Sequence, residues 1–268
     1  MTVLQLLVLA AVQGITEFLP ISSSGHLVLV PALTDWPDQG LIIDTAVHVG
    51  TLFAVLGYFR REVGAVVLGV LRAARGRPDA GSRLAGLLFI AAIPVVIAGA
   101  LFEFADIDDA LRSVEVVAWM TLIFGVVLFF ADRLFLTVRG LEQMKMGAAI
   151  IIGLSQVLAL IPGTSRSGIT MTAARMLGYE RRDAARFSML LSIPTIIAAG
   201  ILQGWEMVKL DDVQIGVDAL FAAGLSFLFA LVAIAALMAW LNRATLMPFA
   251  VYRVILGVGL LLWVYGVL

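Results

Sequence analysis

Of 268 residues, 62% are hydrophobic and only 14% are charged, at a mean hydropathy of +1.05, against roughly 25% charged in an average soluble domain, so water is not the main solvent of this chain. The net charge is -1, with the basic residues in short clusters between apolar runs, which leaves no electrostatic footprint for nucleic acid. With no cysteine at all, disulfides, thiolate catalysis and cysteine-ligated zinc or iron-sulfur centres are excluded.

The chain opens Met-Thr-Val-Leu-Gln-Leu-Leu without a Lys or Arg, so it lacks the positive segment of a cleavable signal and reads as mature structure. Region 2–33 is apolar but broken from Pro20 to Gly25 by three consecutive serines. Unbroken apolar segments follow at roughly 41–60, 84–102 and 114–134, each near the ~20 residues that cross a ~30 Å hydrocarbon core. A second broken region, 147–178, is interrupted from Pro162 to Gly168, and further full spans follow at roughly 187–205, 217–241 and 248–267. The pieces 147–161 and 167–177 have 15 and 11 residues, about 22 and 17 Å of helix, too short to cross comfortably. The expected fold is therefore all-α and polytopic: six full transmembrane helices plus two re-entrant helix hairpins.

Loop charge sets the expected orientation, because cytoplasmic loops are rich in Lys and Arg. The 60–83 loop (Arg60, Arg61, Arg72, Arg75, Arg77, Arg83) reads inside, the acidic 103–113 loop outside, 133–145 and 175–186 inside, 206–218 outside and Arg243 inside. Both termini then lie outside, and Arg175, Arg181, Arg182 and Arg186 read as cytoplasmic anchors. Each half is a broken pair followed by three spans, an odd number, so the halves 1–134 and 147–268 form an inverted-topology repeat within one membrane domain, 1–268. Gln13 to Gly25 and Gln156 to Gly168 share the same spacing, with Ser22 matching Ser165 and Ser24 matching Ser167.

In a re-entrant pair the second short helix starts at the hairpin tip, so its free N–H groups and partial positive charge point toward the bilayer middle. Two such ends, one starting at Ser22, Ser23 and Ser24 and the other at Ser165, Arg166 and Ser167, make the chemistry of an anion site. An arginine at that depth is costly without an ionic partner; phosphate fits a guanidinium in bidentate fashion, and a structural bridge from Arg166 to Glu17 is the alternative. Ser22 and Ser23 stand four and three residues before His26, on its helical face, which makes a hydroxyl beside an imidazole a candidate nucleophile. Glu17 would orient His26 or hold a divalent cation. Ser24 and Ser167 read equally well as helix caps, and His48 as a hydrogen-bonded packing element.

These stretches carry a resemblance. Gln13 to His26 (QGITEFLPISSSGH) and Pro162 to Thr170 (PGTSRSGIT) resemble the two signature motifs of the bacitracin-resistance type undecaprenyl-diphosphate phosphatases, and the similarity extends over the full chain, including Phe187 through Pro194. The resemblance implies a bacterial inner-membrane hydrolase that converts undecaprenyl diphosphate to undecaprenyl phosphate and inorganic phosphate, recycling the lipid carrier for cell-wall synthesis. Its site would face the periplasmic side, and its cofactor would be a divalent cation, magnesium first and calcium second. Carried over by position, the catalytic set is Glu17, Ser23, His26 and Arg166, with Glu17 also as the metal ligand. The substrate contacts are Gln13, Ser22, Ser24, Gly163, Ser165, Ser167 and Thr170. Many members have a glutamate where this chain has Gln13, which cannot add a second negative charge to a metal cage. The implied partners are the lipid substrate, the bilayer and a second copy in a homodimer. The rival reading, a lipid-phosphate flippase or transporter, shares the architecture but needs no serine, histidine and glutamate beside its anion site.

Overall fold

Lipid offers no hydrogen bonds to a backbone, so apolar runs of this length satisfy their N–H and C=O groups internally, as helices. The computed structural model describes the whole chain except residues 35, 105–110, 112, 136, 208–212 and 268, and leaves the side chains of 103–104, 202–207 and 213–214 undescribed. The described residues contain no strand, only an isolated bridge between Arg139 and Tyr179. The first broken region forms α1 (Val3–Thr16) and α2 (Ser23–Thr34), followed by α3 (Gly40–Tyr58), α4 (Arg60–Ala74), α5 (Ala80–Phe104) and α6 (Val114–Leu134). The second forms α7 (Met146–Gln156), which tightens into a 3-10 turn at Val157–Leu160, and α8 (Arg166–Met176). The chain ends with α9 (Arg181–Met207), α10 (Val213–Trp240) and α11 (Met247–Val264).

Six of these, α3, α5, α6, α9, α10 and α11, are long and apolar enough to cross a membrane, while α1 and the α7 segment are shorter apolar helices. The six match the expected spans, and the protein is a multi-pass, all-helical membrane protein. The acidic 103–113 loop (Asp106, Asp108, Asp109, Arg112) and the pair Asp211–Asp212, on which part of the orientation rests, lie largely outside the described residues.

Two expectations are corrected. The 60–83 segment is not a plain loop: Val66 to Leu71 continue the helical pattern from Arg60, and α4 leaves Val67, Leu68, Val70 and Leu71 exposed, the amphipathic form of an interfacial helix. Arg175 is not an exposed anchor but 1% exposed. Its Nε donates to Asp132 Oδ1 at 3.0 Å, Arg181 Nε donates to the same oxygen at 2.7 Å, and the Leu246 N–H donates to Oδ2 at 3.0 Å. A buried carboxylate that collects this many donors offsets the desolvation of the buried Arg175, and it ties α6, α8 and the segment before α11 at one end of the bundle.

Packing is reciprocal between the halves: α1 lies against α10 as α7 lies against α5, α3 against α10 as α9 against α5, and α6 pairs with α11. In lipid, helices associate through close backbone approach at small residues rather than through the hydrophobic effect. A Cβ on Gly50 would sit 2.2 Å from the Ala223 carbonyl oxygen, and one on Gly153 would sit 2.4 Å from that of Ala91. Outer faces instead present residues such as Leu220 (77% exposed) and Phe89 (66%), as lipid-facing surfaces do. Between these layers α2 and α8 bring their N-termini together.

Candidate active site

Ser22 and Ser165 start the two inner helices in the same way. Both are non-glycine residues with positive φ, 74° and 73°, a region that costs an L-residue energy and persists only where its surroundings hold it. In each, the side-chain oxygen accepts the backbone N–H three residues on, from Gly25 at 3.3 Å and from Gly168 at 3.1 Å. The caps are thus Ser22 and Ser165, not Ser24 and Ser167. Those two pair instead with the cap hydroxyls at 3.4 and 3.2 Å, and Ser167 Oγ also donates to the Leu19 carbonyl at 2.8 Å, across the two turns. Ser23 and Arg166 therefore occupy the same place, the first residue of a helix, where backbone N–H groups have no partner within the helix.

Glu17, just past the end of α1, joins them. Its Oε1 accepts Arg166 Nη2 at 2.6 Å, and its Oε2 accepts Ser23 Oγ at 2.6 Å and Gln13 Nε2 at 2.9 Å. The bridge weighed as the alternative for Arg166 is formed. Arg166 Nη1 donates to the Ser188 carbonyl at 3.2 Å, and the guanidinium lies over the Phe18 ring at 5.8 Å, so it is held at its edge by the carbonyl and on one face by the ring. Thr170 acts from behind, bonded to the Arg166 carbonyl at 2.8 Å and the Ser188 hydroxyl at 2.7 Å.

Glu17, Ser23, Ser24, Ser165 and Arg166 line a cavity of about 390 Å³, whose remaining wall includes Leu27, Val28, Val95, Leu160 and Ile196. Of the expected site residues, Gln13, Ser22, Gly163, Ser167 and Thr170 stand behind this wall; the hydroxyls of Ser22, Ser167 and Thr170 are engaged in the turns, and the Nε2 of Gln13 holds Glu17. Gly163 has φ +92°, and a Cβ there would meet the Val117 carbonyl oxygen at 2.6 Å. Gly163→Ala is expected to lower stability by about 1–3 kcal/mol, the usual cost of such strain; an unchanged melting temperature in detergent would show that the tip repacks freely.

His26 does not meet Ser23. Its Nδ1 bonds the Ser22 carbonyl at 2.6 Å, its Nε2 bonds the Tyr252 hydroxyl at 2.7 Å, and the two rings are stacked at 5.8 Å. Both ring nitrogens are thereby engaged away from Ser23, whose hydroxyl proton points to Glu17 instead. The imidazole that lines the cavity belongs to His48, with Nδ1 on the Asp44 carbonyl at 2.6 Å and Nε2 3.8 Å from Glu17 Oε2. Asp44 and His48 share a face of α3 one turn apart, and a polar stripe on an apolar span was the signal that could have found them.

A carboxylate, a hydroxyl and a guanidinium within hydrogen-bond reach, beside two helix N-termini, have the chemistry to bind an oxyanion and to transfer a group to oxygen. Comparison with known proteins agrees with this chemistry. The family described as Bacitracin resistance protein BacA matches residues 6–259. The protein named undecaprenyl-diphosphatase of Roseobacter denitrificans is 52% identical over 99% of this chain and 100% of its own length. That of Ruegeria pomeroyi is 50% identical over 97% and 98%, and undecaprenyl-diphosphatase 1 of Rhodospirillum rubrum is 47% identical over 99% and 96%.

Proposed function

The chain belongs to the Bacitracin resistance protein BacA family, and from that membership and the chemistry of its cavity we infer a membrane undecaprenyl-diphosphatase that attacks its substrate with Ser23. The observation that carries this is the convergence of Ser23 and Arg166 on Glu17, at 2.6 Å each, where a mostly apolar cavity becomes polar. The diphosphate enters at the polar end with its terminal phosphoryl group held by Arg166 and the N–H groups of α2 and α8, and the prenyl chain follows the apolar wall.

The Ser23 Oγ–P bond forms as the bond from phosphorus to the bridging oxygen breaks, and that oxygen leaves with the electron pair as undecaprenyl phosphate. Glu17 takes the Ser23 proton and passes it to the departing phosphate. Water then attacks the phosphoserine; Glu17 accepts one water proton and returns it to Ser23 Oγ as inorganic phosphate leaves. Such transfer relies on positioning and charge stabilisation more than on covalent help. His26 positions the attacking turn, through its grip on the Ser22 carbonyl and on Tyr252.

The residues fit a divalent cation of the kind that rides on the diphosphate. No group of three or more histidine or acidic residues is arranged for a metal among the described residues, but magnesium commonly uses one or two carboxylates with substrate phosphates and water. Glu17 would hold it, and the buried Gln13 Oε1, which has no hydrogen-bond partner, is a further hard oxygen nearby. When bound, the cation would neutralise phosphate charge. Chelator treatment is accordingly expected to abolish turnover and added magnesium to restore it; full activity in a metal-free sample would remove the cation from this account.

The positive segments 60–83 and 175–186 support an inner-membrane orientation with the first hairpin opening to the periplasmic side, and the reciprocal packing of the halves supports the inverted repeat with re-entrant hairpins. Purified protein in detergent, given undecaprenyl or farnesyl diphosphate, is expected to release inorganic phosphate. Substrate that binds and crosses vesicle membranes without phosphate release would favour a transporter instead.

A further inference from the structure

Arg253, on α11, is a buried charge that the chemistry above does not use. It is fully buried and, among the described residues, has no carboxylate within 4.0 Å. An arginine inside a membrane span normally marks a partner or a function. Here its partners are backbone carbonyls: Nη2 donates to Gly163 at 2.9 Å and to Met120 at 3.3 Å, Nη1 to Pro20 at 3.4 Å, and Nε to Thr121 at 3.3 Å.

Two of those carbonyls belong to the two interrupted turns. Pro20 lies two residues before the Ser22 cap, and Gly163 lies two before the Ser165 cap. The other two belong to α6, the helix on which the Gly163 turn rests. Space for the guanidinium is built in: a Cβ on Gly168 would stand 2.8 Å from Arg253 Nη1, and one on Gly125 2.8 Å from Arg253 Cβ. Both turns lie outside regular helix, so their carbonyls lack ladder partners, and a planar group with five fixed donors can serve several of them together.

We propose that Arg253 is a positioning residue that braces the two hairpin tips and sets Ser23 and Arg166 in register for the phosphoryl group. The proposal rests on the phosphatase reading of the site. Ser23 and Arg166 come from turns about 140 residues apart in the chain, and their direct link runs through one carboxylate that must change partners during turnover. A brace that stays out of the chemistry keeps the tips in place while Glu17 exchanges protons. Misplacement of reacting groups by about 1 Å can cost roughly 10²-fold in rate, so the brace is expected to matter at about that level.

The absence of native cysteine permits a test by spin labels at Leu33→Cys and Met176→Cys, exposed positions near the ends of α2 and α8, with the interlabel distance and kcat per folded molecule measured together. Arg253→Met is expected to broaden or displace the distance distribution and lower kcat by about 10²-fold, with a smaller change in KM. Arg253→Lys, which keeps the charge and loses the fork, should recover under a tenth of the lost rate and serves as the second variant if the methionine form folds poorly. An unchanged distance distribution with near wild-type kcat, or full recovery by lysine, would overturn the brace. If the otherwise native chain hydrolyses no prenyl diphosphate, the phosphatase reading fails, and the distances alone decide whether Arg253 holds the tips.

Discussion

Arg166→Ala is expected to lower kcat/KM by about three orders of magnitude, because it removes the one guanidinium that the described residues place on the cavity wall and the counter-charge of Glu17 together. Arginines that stabilise a transferring phosphoryl group contribute 10³–10⁵ in rate, and three orders correspond to about 4 kcal/mol of transition-state stabilisation. Arg166→Lys should regain little of this. A single ammonium cannot bond Glu17 and the Ser188 carbonyl while facing a phosphate. The effect should fall on both KM and kcat, since the charge meets ground state and transition state alike. Steady-state kinetics normalised to folded protein check it, and well-folded Arg166→Ala with normal kcat/KM would remove the phosphate site.

The second large effect concerns the pair that moves the proton. Ser23→Ala removes the proposed nucleophile and Glu17→Gln the proposed proton acceptor 2.6 Å from it; each is expected to lower kcat by about 10³-fold, within the range for loss of a general base. Because the two act as one unit, the double variant should be no slower than the slower single variant, as for residues that share a single chemical step. Losses that multiply would mean that Ser23 and Glu17 act in separate steps. His26 enters the same test from outside: it shares no hydrogen bond with Ser23, so its coupling to Ser23 should be smaller than that of Glu17.

Much of this was legible in the sequence, for physical reasons that also mark the limits. Span length and hydropathy located the crossing helices because lipid leaves the backbone no alternative to the helix, and the two serine-rich interruptions located both tips. The match of Ser22 to Ser165 reaches down to their shared positive φ and their shared capping bond. Side-chain direction was less accessible. Helical spacing puts His26 three residues from Ser23, but the stack on Tyr252, 226 positions away, turns the ring elsewhere, and no local pattern encodes a contact of that range. His48 reads as a packing element because a single histidine in an apolar span has a bland reading. Arg253 and Asp132 lie outside both motifs, although each is an ionisable group within a span, the signal that membrane energetics makes most informative. Arg175 looked like an anchor because it sits in a basic cluster, and only the fold shows that Asp132 waits for it inside the bundle.

The central claim, that Ser23 is phosphorylated on the way to inorganic phosphate, is tested most directly by the stereochemical course at the terminal phosphorus of a prenyl diphosphate analogue that carries one sulfur and two oxygen isotopes there and is hydrolysed in water of the third isotope, so that the released thiophosphate is chiral. Each in-line displacement inverts the phosphorus, so transfer to Ser23 followed by transfer to water predicts net retention; net inversion would mean a single displacement by water and would contradict the account.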